Sequence, residues 1–148
     1  MKFYIDTSVF GGYYDPEFSA DTSKFFEQIF TEQVKIVYSY LIEKELEGAP
    51  TRVRELVERI PTKSLEIVAL DEEAIKLATA YVHAGALTKK FEDDAIHIAL
   101  ATIHRVDTLV SWNFRHMVSF FRIRQYNSVN LKLGYTTIDV RSPKELLS

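Results

Sequence analysis

Cysteine is absent from all 148 residues, which removes both a disulfide framework and any thiolate metal site. Long apolar runs are missing too: none approaches the roughly 20 residues that a membrane span needs. The opening MKFYID reaches an acid within six residues and leaves no room for the apolar core of a signal peptide. Excess positive charge is also lacking. With 18 Lys and Arg against 21 Asp and Glu, the formal net charge is −3, which argues against tight non-specific binding to nucleic acid through many phosphate contacts. These absences predict a cytoplasmic protein with no membrane association. They leave room for a chain that gathers acids at one site and bases around it, since Arg115, His116, Arg122 and Arg124 crowd one stretch and Lys89 and Lys90 another. Repeats, low-complexity tracts and linkers are absent, and 47% hydrophobic with 26% charged residues is an ordinary globular balance, so residues 1–148 are expected to form a single domain.

What is present alternates between two periods. KFYID reads as a strand, followed by a loop marked by Gly11, Gly12, Asp15 and Pro16. Phe25, Phe26, Ile29 and Phe30 repeat at helical spacing between Asp21 and Glu32. VKIVYS is a second strand, YLIEKELEG a short helix stopping at Gly48, and Pro50 to Ile60 a further helix ended by Pro61. SLEIVAL is the third strand. Asp71 then caps a helix with Ile75, Ala78 and Val82 as its inner stripe and Gly85 as its close. An apolar helix from Glu92 to Arg105 leads into the strand DTLVS, a helix from about Phe114 to Arg124, the strand TTIDV and a helical start at Ser142. The stretch MVSFF followed by RIRQY reads as an amphipathic core helix in preference to an RNA arm. The fold class this predicts is α/β: three layers, α/β/α, with a mostly parallel central sheet of about five strands joined by right-handed crossovers. In such sheets active sites lie outside the carboxyl ends of the strands.

Four polar residues fall where that rule directs attention. Asp6 ends the first strand, although an Asp before Thr7 and Ser8 can also simply form a turn. Glu45 lies within the apolar stripe of Leu41, Ile42 and Leu46, whereas Glu43 and Glu47 sit about 200° around the helix and should face water. An inward carboxylate is costly unless paired or metal-bound; at the edge of a stripe it is harmless. Asp94 is in register with Phe91, Ala95, Ile98 and Ala101 on the inner face of its helix, and Asp93 is turned about 100° away. Either acid also suits the positive end of a helix. Asn113 follows the strand TLVS and is equally explicable as an N-cap. Acids that converge without Lys or Arg repel one another unless a cation joins them, and hard oxygen donors without thiols suit Mg²⁺ or Mn²⁺. His97, one turn beyond Asp94, lacks the two-histidine spacing of a zinc helix and reads better as a packed or supporting residue than as a ligand. Tyr13, Tyr14 and Phe18 can stack on bases, cover the core or meet a second copy.

The order IDTSV, SYLIEKEL, DDAIHIALAT and LVSWNF resembles the PIN-domain nuclease family, above all the VapC-type ribonucleases of toxin–antitoxin systems and related stand-alone PIN proteins. The likeness runs over nearly the whole chain. It implies an endoribonuclease that hydrolyses RNA phosphodiester bonds with Mg²⁺ or Mn²⁺, leaving a 5′-phosphate and a 3′-hydroxyl. Asp6, Glu45 and Asp94 match the family's metal-binding acids, and Thr7 and Ser8 the hydroxyls that steady the first of them. Asn113 stands where many members carry Asp, which puts a second metal in question and makes Asp93 the natural substitute. Arg115, His116 and Tyr13 are candidate contacts to RNA. A cognate antitoxin and a homodimer are further expectations of the resemblance. Two rivals stand beside it. A phosphoacceptor receiver domain requires an Asp at the end of the third strand and a Lys after the fifth; Asp71 opens a helix instead and no such Lys follows. An inactive PIN-like domain that binds RNA or protein is kept open by Asn113.

Overall fold

The computed structural model describes residues 1–31 and 34–147, so the expected end of the second-layer helix at Glu32 lies outside the described residues. Five strands form where the alternating or continuous apolar runs predict them: β1 (Lys2–Ile5), β2 (Lys35–Ser39), β3 (Leu65–Val68), β4 (Thr108–Val110) and β5 (Val140–Arg141). They make one sheet in the order β3-β2-β1-β4-β5, and every neighbouring pair is parallel. β1 is central, which explains why Tyr4 and Ile5 are fully buried. β5 keeps only the end of the expected TTIDV strand, because its one partner, β4, is short and pairs with Val140 and Arg141 alone.

Seven helices cover the sheet among the described residues: α1 (Thr7–Gly12), α2 (Ser19–Thr31), α3 (Tyr40–Glu47), α4 (Thr51–Glu58), α5 (Glu72–His83), α6 (Glu92–Ile103) and α7 (Phe120–Lys132). α1 packs against α2, α3 and α4, whereas α5 packs against α6 and α7. The split follows from handedness. The chain steps from β1 outward to β3, then crosses back to β4 and β5, so right-handed crossovers must switch faces at that reversal. The result is an α/β/α fold with its topological switch point between β1 and β4.

Four expectations change on folding. The loop foreseen after the first strand contains α1: Gly12 is held in it against the Trp112 indole, so closely that a Cβ there lies 2.8 Å from two ring atoms. α5 is turned by about one position from its expected stripe. Ala74, Leu77, Ala78 and Tyr81 face inward and Ile75 is 43% exposed, because Tyr81 is drawn into the core by its hydroxyl bond to Asn130 of α7. The helix expected over 114–124 is displaced to α7. Asn113 accepts from the His116 backbone through its side chain (3.0 Å) and from Met117 and Val118 through its carbonyl (3.1 and 2.9 Å), which closes a turn before the helix begins. MVSFF is therefore no core helix: Met117 is buried, but Phe120 and Phe121 are 67% and 77% exposed. At the tail, a 3-10 turn, Lys144–Leu146, stands in place of a helical start at Ser142, whose hydroxyl accepts from the Glu145 backbone N–H at 3.3 Å. The Asp71 cap, by contrast, forms as expected, accepting from Ala74 at 3.0 Å.

The Gly12 contact generates a prediction. Gly12→Ala should cost about 1–3 kcal/mol, since the added methyl meets a rigid buried indole rather than a flexible chain end. Urea denaturation followed by Trp112 fluorescence measures it; an unchanged midpoint shows that the indole can move aside.

Candidate metal centre

The switch point receives residues from five segments. Asp6 follows β1, and its backbone N–H donates to the Val110 carbonyl of β4 at 2.9 Å, which places it on the carboxyl edge of the sheet. It occupies the N-cap position of α1 yet its side chain caps nothing. Buried at 5% exposure, the carboxylate instead accepts at Oδ2 from the hydroxyls of Ser8 and Ser111, both at 2.8 Å. Ser8 and Ser111 also receive the backbone N–H groups of Trp112 (3.0 Å) and Asn113 (2.9 Å), so the loop after β4 is fastened to the segment after β1.

Glu45 projects from α3 between Leu41, Ile42 and Leu46, all buried, while Glu43 and Glu47 are exposed. Its Oε1 accepts from Thr7 at 2.9 Å and from His97 Nε2 at 2.6 Å. Thr7 thus steadies Glu45, and Ser8 alone of the pair steadies Asp6. His97 is buried, as a supporting residue should be, and its role is sharper than packing: Nδ1 lies 2.6 Å from the Tyr4 hydroxyl, which lies 2.9 Å from Ser39 Oγ. Ser39 in turn caps α3, the helix that carries Glu45. The opposite imidazole nitrogen also stands 3.9 Å from Asp6 Oδ1.

Electrostatics follow from this arrangement. Burial works to lower the His97 pKa, but the bond to Glu45 and the charges of Asp6, Glu45 and Asp94 outweigh it, and the net shift is upward. For Glu45, burial works upward and is outweighed by His97 and Thr7, so its carboxyl is held below the usual value. Asp94, in the first turn of α6, has no such support. Burial, then the negative charge of Asp6, and more weakly those of Glu45 and Asp93, push it up to about 6 against the opposing pull of His97. Its Oδ2 lies 3.5 Å from the Asn113 amide nitrogen, a long contact at best, while exposed Asp93 points away from this cluster.

Asp6, Glu45, Asp94 and Asn113 are therefore neighbours, brought together from positions far apart in the chain. Among the described residues no three acidic or histidine side chains already close around one point as a metal cage. The bonds explain this: one oxygen of Asp6 is turned to two serines and one of Glu45 to His97 and Thr7. The other oxygens are hard, anionic donors of the kind that could hold Mg²⁺ or Mn²⁺. Asn113 adds a carbonyl donor at most, and its Oδ1 already accepts from His116.

The rim differs from the centre. His116 is buried against Phe91, ring centroids 3.9 Å apart, and burial together with Arg122 and Arg115 lowers its pKa. Arg115 is exposed, its guanidinium 6.0 Å from the Phe91 ring. Tyr13, half-buried, packs edge-on against Phe26 and carries the Arg59 guanidinium above it at 5.9 Å, and Phe18 stacks on Trp112 at 4.4 Å. Ser111, Tyr4 and Ser39 escaped the sequence reading. Ser111 and Ser39 each left one signal there, as a hydroxyl at the carboxyl end of a strand.

This combination, a five-stranded parallel sheet in the order 3-2-1-4-5 with acids at its switch point, is a PIN-like fold. More particularly, the fold is that of VapC-like toxins. The chain is similar to VapBC2 from Rickettsia felis, solved bound to a DNA fragment from their promoter (TM-score 0.62, 14% identity, 96% of this chain and 98% of that one). It is also similar to a toxin–antitoxin complex from Klebsiella pneumoniae (0.56, 18%, 80% and 92%) and to FitAcB from Neisseria gonorrhoeae (0.56, 16%, 97% and 99%). No family model matches the sequence, and no curated protein matches it. No helix among the described residues is long and apolar enough to cross a membrane.

The raised carboxyl of Asp94 has a testable consequence. Its folded value of about 6 exceeds the ordinary 3.8, so the native state favours the protonated form; that contribution is complete below about pH 4 and is lost as pH rises through 6. In chelator, Asp94→Asn should therefore be more stable than the parent at pH 8 by about 2 kcal/mol, and the gap should close at pH 4. Denaturant midpoints at the two pH values check this; a gap of the same size at both removes ionisation of Asp94 as its cause.

Proposed function

We propose that this protein is a Mg²⁺- or Mn²⁺-dependent endoribonuclease that hydrolyses RNA phosphodiester bonds, and that it is the toxin of a toxin–antitoxin pair. The observation that carries the reading is the convergence of Asp6, Glu45 and Asp94 at the switch point, where Asp6 and Glu45 are tied to one another through His97 and Asp94 lies beside Asn113. A structural role does not require three acids there with one histidine between two of them. The toxin–antitoxin complexes among the neighbouring folds support a cognate antitoxin as partner, and a cytoplasmic homodimer fits the same picture.

In this reading Asp6, Glu45 and Asp94 would hold the ion. When bound, such an ion lowers the pKa of its water and offsets charge on the phosphate in the transition state. Ser8 and Ser111 fix the orientation of Asp6, and Thr7 and His97 that of Glu45. Asp94 or Glu45 would orient the attacking water toward phosphorus, and the products would be a 5′-phosphate and a 3′-hydroxyl. Arg115, exposed at the rim, contacts the substrate phosphate. His116, buried and with its pKa lowered, braces Phe91 rather than offering charge. Asn113 keeps the amide beside Asp94, and with one acid fewer at this position a second ion would lack a charged ligand.

The second reading, a PIN-like domain that binds RNA or protein without cutting, draws on the His97–Glu45 bond, which occupies one carboxylate oxygen, and on Asn113. Two measurements separate them. Saturating Mn²⁺ should raise the melting temperature by about 5 °C or more for the parent but not for Asp6→Ala. A mixed RNA pool with Mn²⁺ should be cleaved, with the rate falling on the order of 10²-fold or more in Asp94→Asn. Absence of both effects favours the non-cutting domain, and equal cleavage by parent and variant reveals a contaminating nuclease.

A further inference from the structure

Between Asp107 and Asp139 the chain contains no acid, yet it carries Arg115, Arg122, Arg124 and Lys132. In a protein of net charge −3 this is a local reversal of sign, and it begins at the metal centre, because Asn113 opens the segment's turn. The same segment displays its aromatic residues. Phe114, Phe120 and Phe121 are 51%, 67% and 77% exposed, although each removes apolar area from water when covered.

Their geometry is that of a platform. Phe114 leans edge-on against Trp112 (centroids 6.0 Å), which itself stacks on Phe18, so its ring is braced from behind. Phe120 and Phe121 stand edge to face at 5.6 Å, and the Arg124 guanidinium lies 5.5 Å from the Phe120 ring. Phe114, Val118, Phe120 and Ile123 line an open cleft of about 460 Å³. Two acids do border that cleft, Asp139 and Glu145, and both are paired with Arg141, at 3.0 and 3.3 Å. Arg115 and Arg124 form no ion pair among the described residues, whereas Arg122 is committed to the Ala86 carbonyl.

The patch is also close to the acids. Val118 N–H donates to the Asn113 carbonyl at 2.9 Å, and Phe120 follows two residues later, so its backbone is within about 10 Å of Asn113. The Tyr126 hydroxyl donates to the His116 carbonyl, which ties α7 to this turn and keeps the separation constant.

We propose that Phe114, Phe120 and Phe121, with Arg115 and Arg124, form a binding track for single-stranded RNA that leads into the metal centre. Bases stack on the phenylalanine rings and phosphates meet the two guanidinium groups, the pairing by which single strands are held without sequence reading. The alternating aromatic and cationic groups, and the absence of unpaired acids, favour a polyanion with flat bases over an acidic peptide or a second copy of this chain. The inference rests on the ribonuclease reading for its meaning but not for its measurement.

The test is fluorescence anisotropy of a short labelled single-stranded RNA of mixed sequence, titrated with full-length protein in EDTA so that no cleavage intervenes. Replacing Phe120 and Phe121 together by Ala should weaken Kd by about tenfold or more, and replacing both by Tyr should retain most of the affinity. Arg124→Gln should flatten the dependence of log K on log salt by about one. These surface changes should leave the melting temperature and its response to Mn²⁺ as in the parent. An unchanged Kd in the Ala pair overturns the track. So does an Ala pair that only converts a dimer to a monomer in sedimentation, which assigns the face to self-association. If the Ala pair loses RNA binding but the parent neither cuts RNA nor responds to Mn²⁺, the track stands and the nuclease reading falls; cutting that is indifferent to the Ala pair has the opposite meaning.

Discussion

Repulsion among carboxylates at the carboxyl edge of the sheet is the constraint around which the rest of the structure is arranged. Asp6, Glu45 and Asp94 arrive from β1, α3 and α6, and each is removed from bulk water to some degree. Two of them are stabilised by local donors: Ser8 and Ser111 on Asp6, Thr7 and His97 on Glu45. Asp94 bears the remainder, and its carboxyl rises to about 6. A site that leaves one acid strained in this way is poised for a cation, because a positive charge relieves the strain at the point where it is greatest.

His97 shows how the strain is shared out. It is the one buried cationic candidate inside the cluster, reaching Glu45 through Nε2 and Tyr4 through Nδ1. The chain Ser39–Tyr4–His97–Glu45–Thr7 begins and ends on segments that also fix backbone: Ser39 caps α3, and Thr7 opens α1. Orienting a carboxylate therefore also orients the helices that deliver it. Directional hydrogen bonds in a low-dielectric interior do this more stiffly than apolar contacts can. On the other side of the site the charge reverses, with Arg124 beside the exposed Phe120 ring and Arg115 beside the half-buried Phe91.

How far this was readable in advance depends on the range of the forces involved. Asp6 and Glu45 were legible because strand ends and helical stripes are local periodicities, and a carboxylate that breaks such a pattern stands out. Asp94 was legible for the same reason on α6. Ser111, Tyr4 and Ser39 were not, since a hydroxyl in a strand has no periodic signature and its partner is decided by sheet order. The displaced α7 has a similar origin: residues 114–124 have a helical pattern, but the bonds that Asn113 makes to His116, Met117 and Val118 close a separate turn first. Ile75 was assigned inward by spacing alone, and the Tyr81–Asn130 bond between α5 and α7 turned that face outward.

The sequence by itself determined the alternation of strands and helices, the parallel α/β class and the inward set of acids, because hydrophobic period and chain connectivity act over a few residues at a time. Only the tertiary structure decided which hydroxyls and which imidazole serve those acids, which one is left strained, and which phenylalanines remain in water. Those outcomes depend on distances between segments up to 105 residues apart, as between Asp6 and Ser111, and no local pattern encodes such a distance.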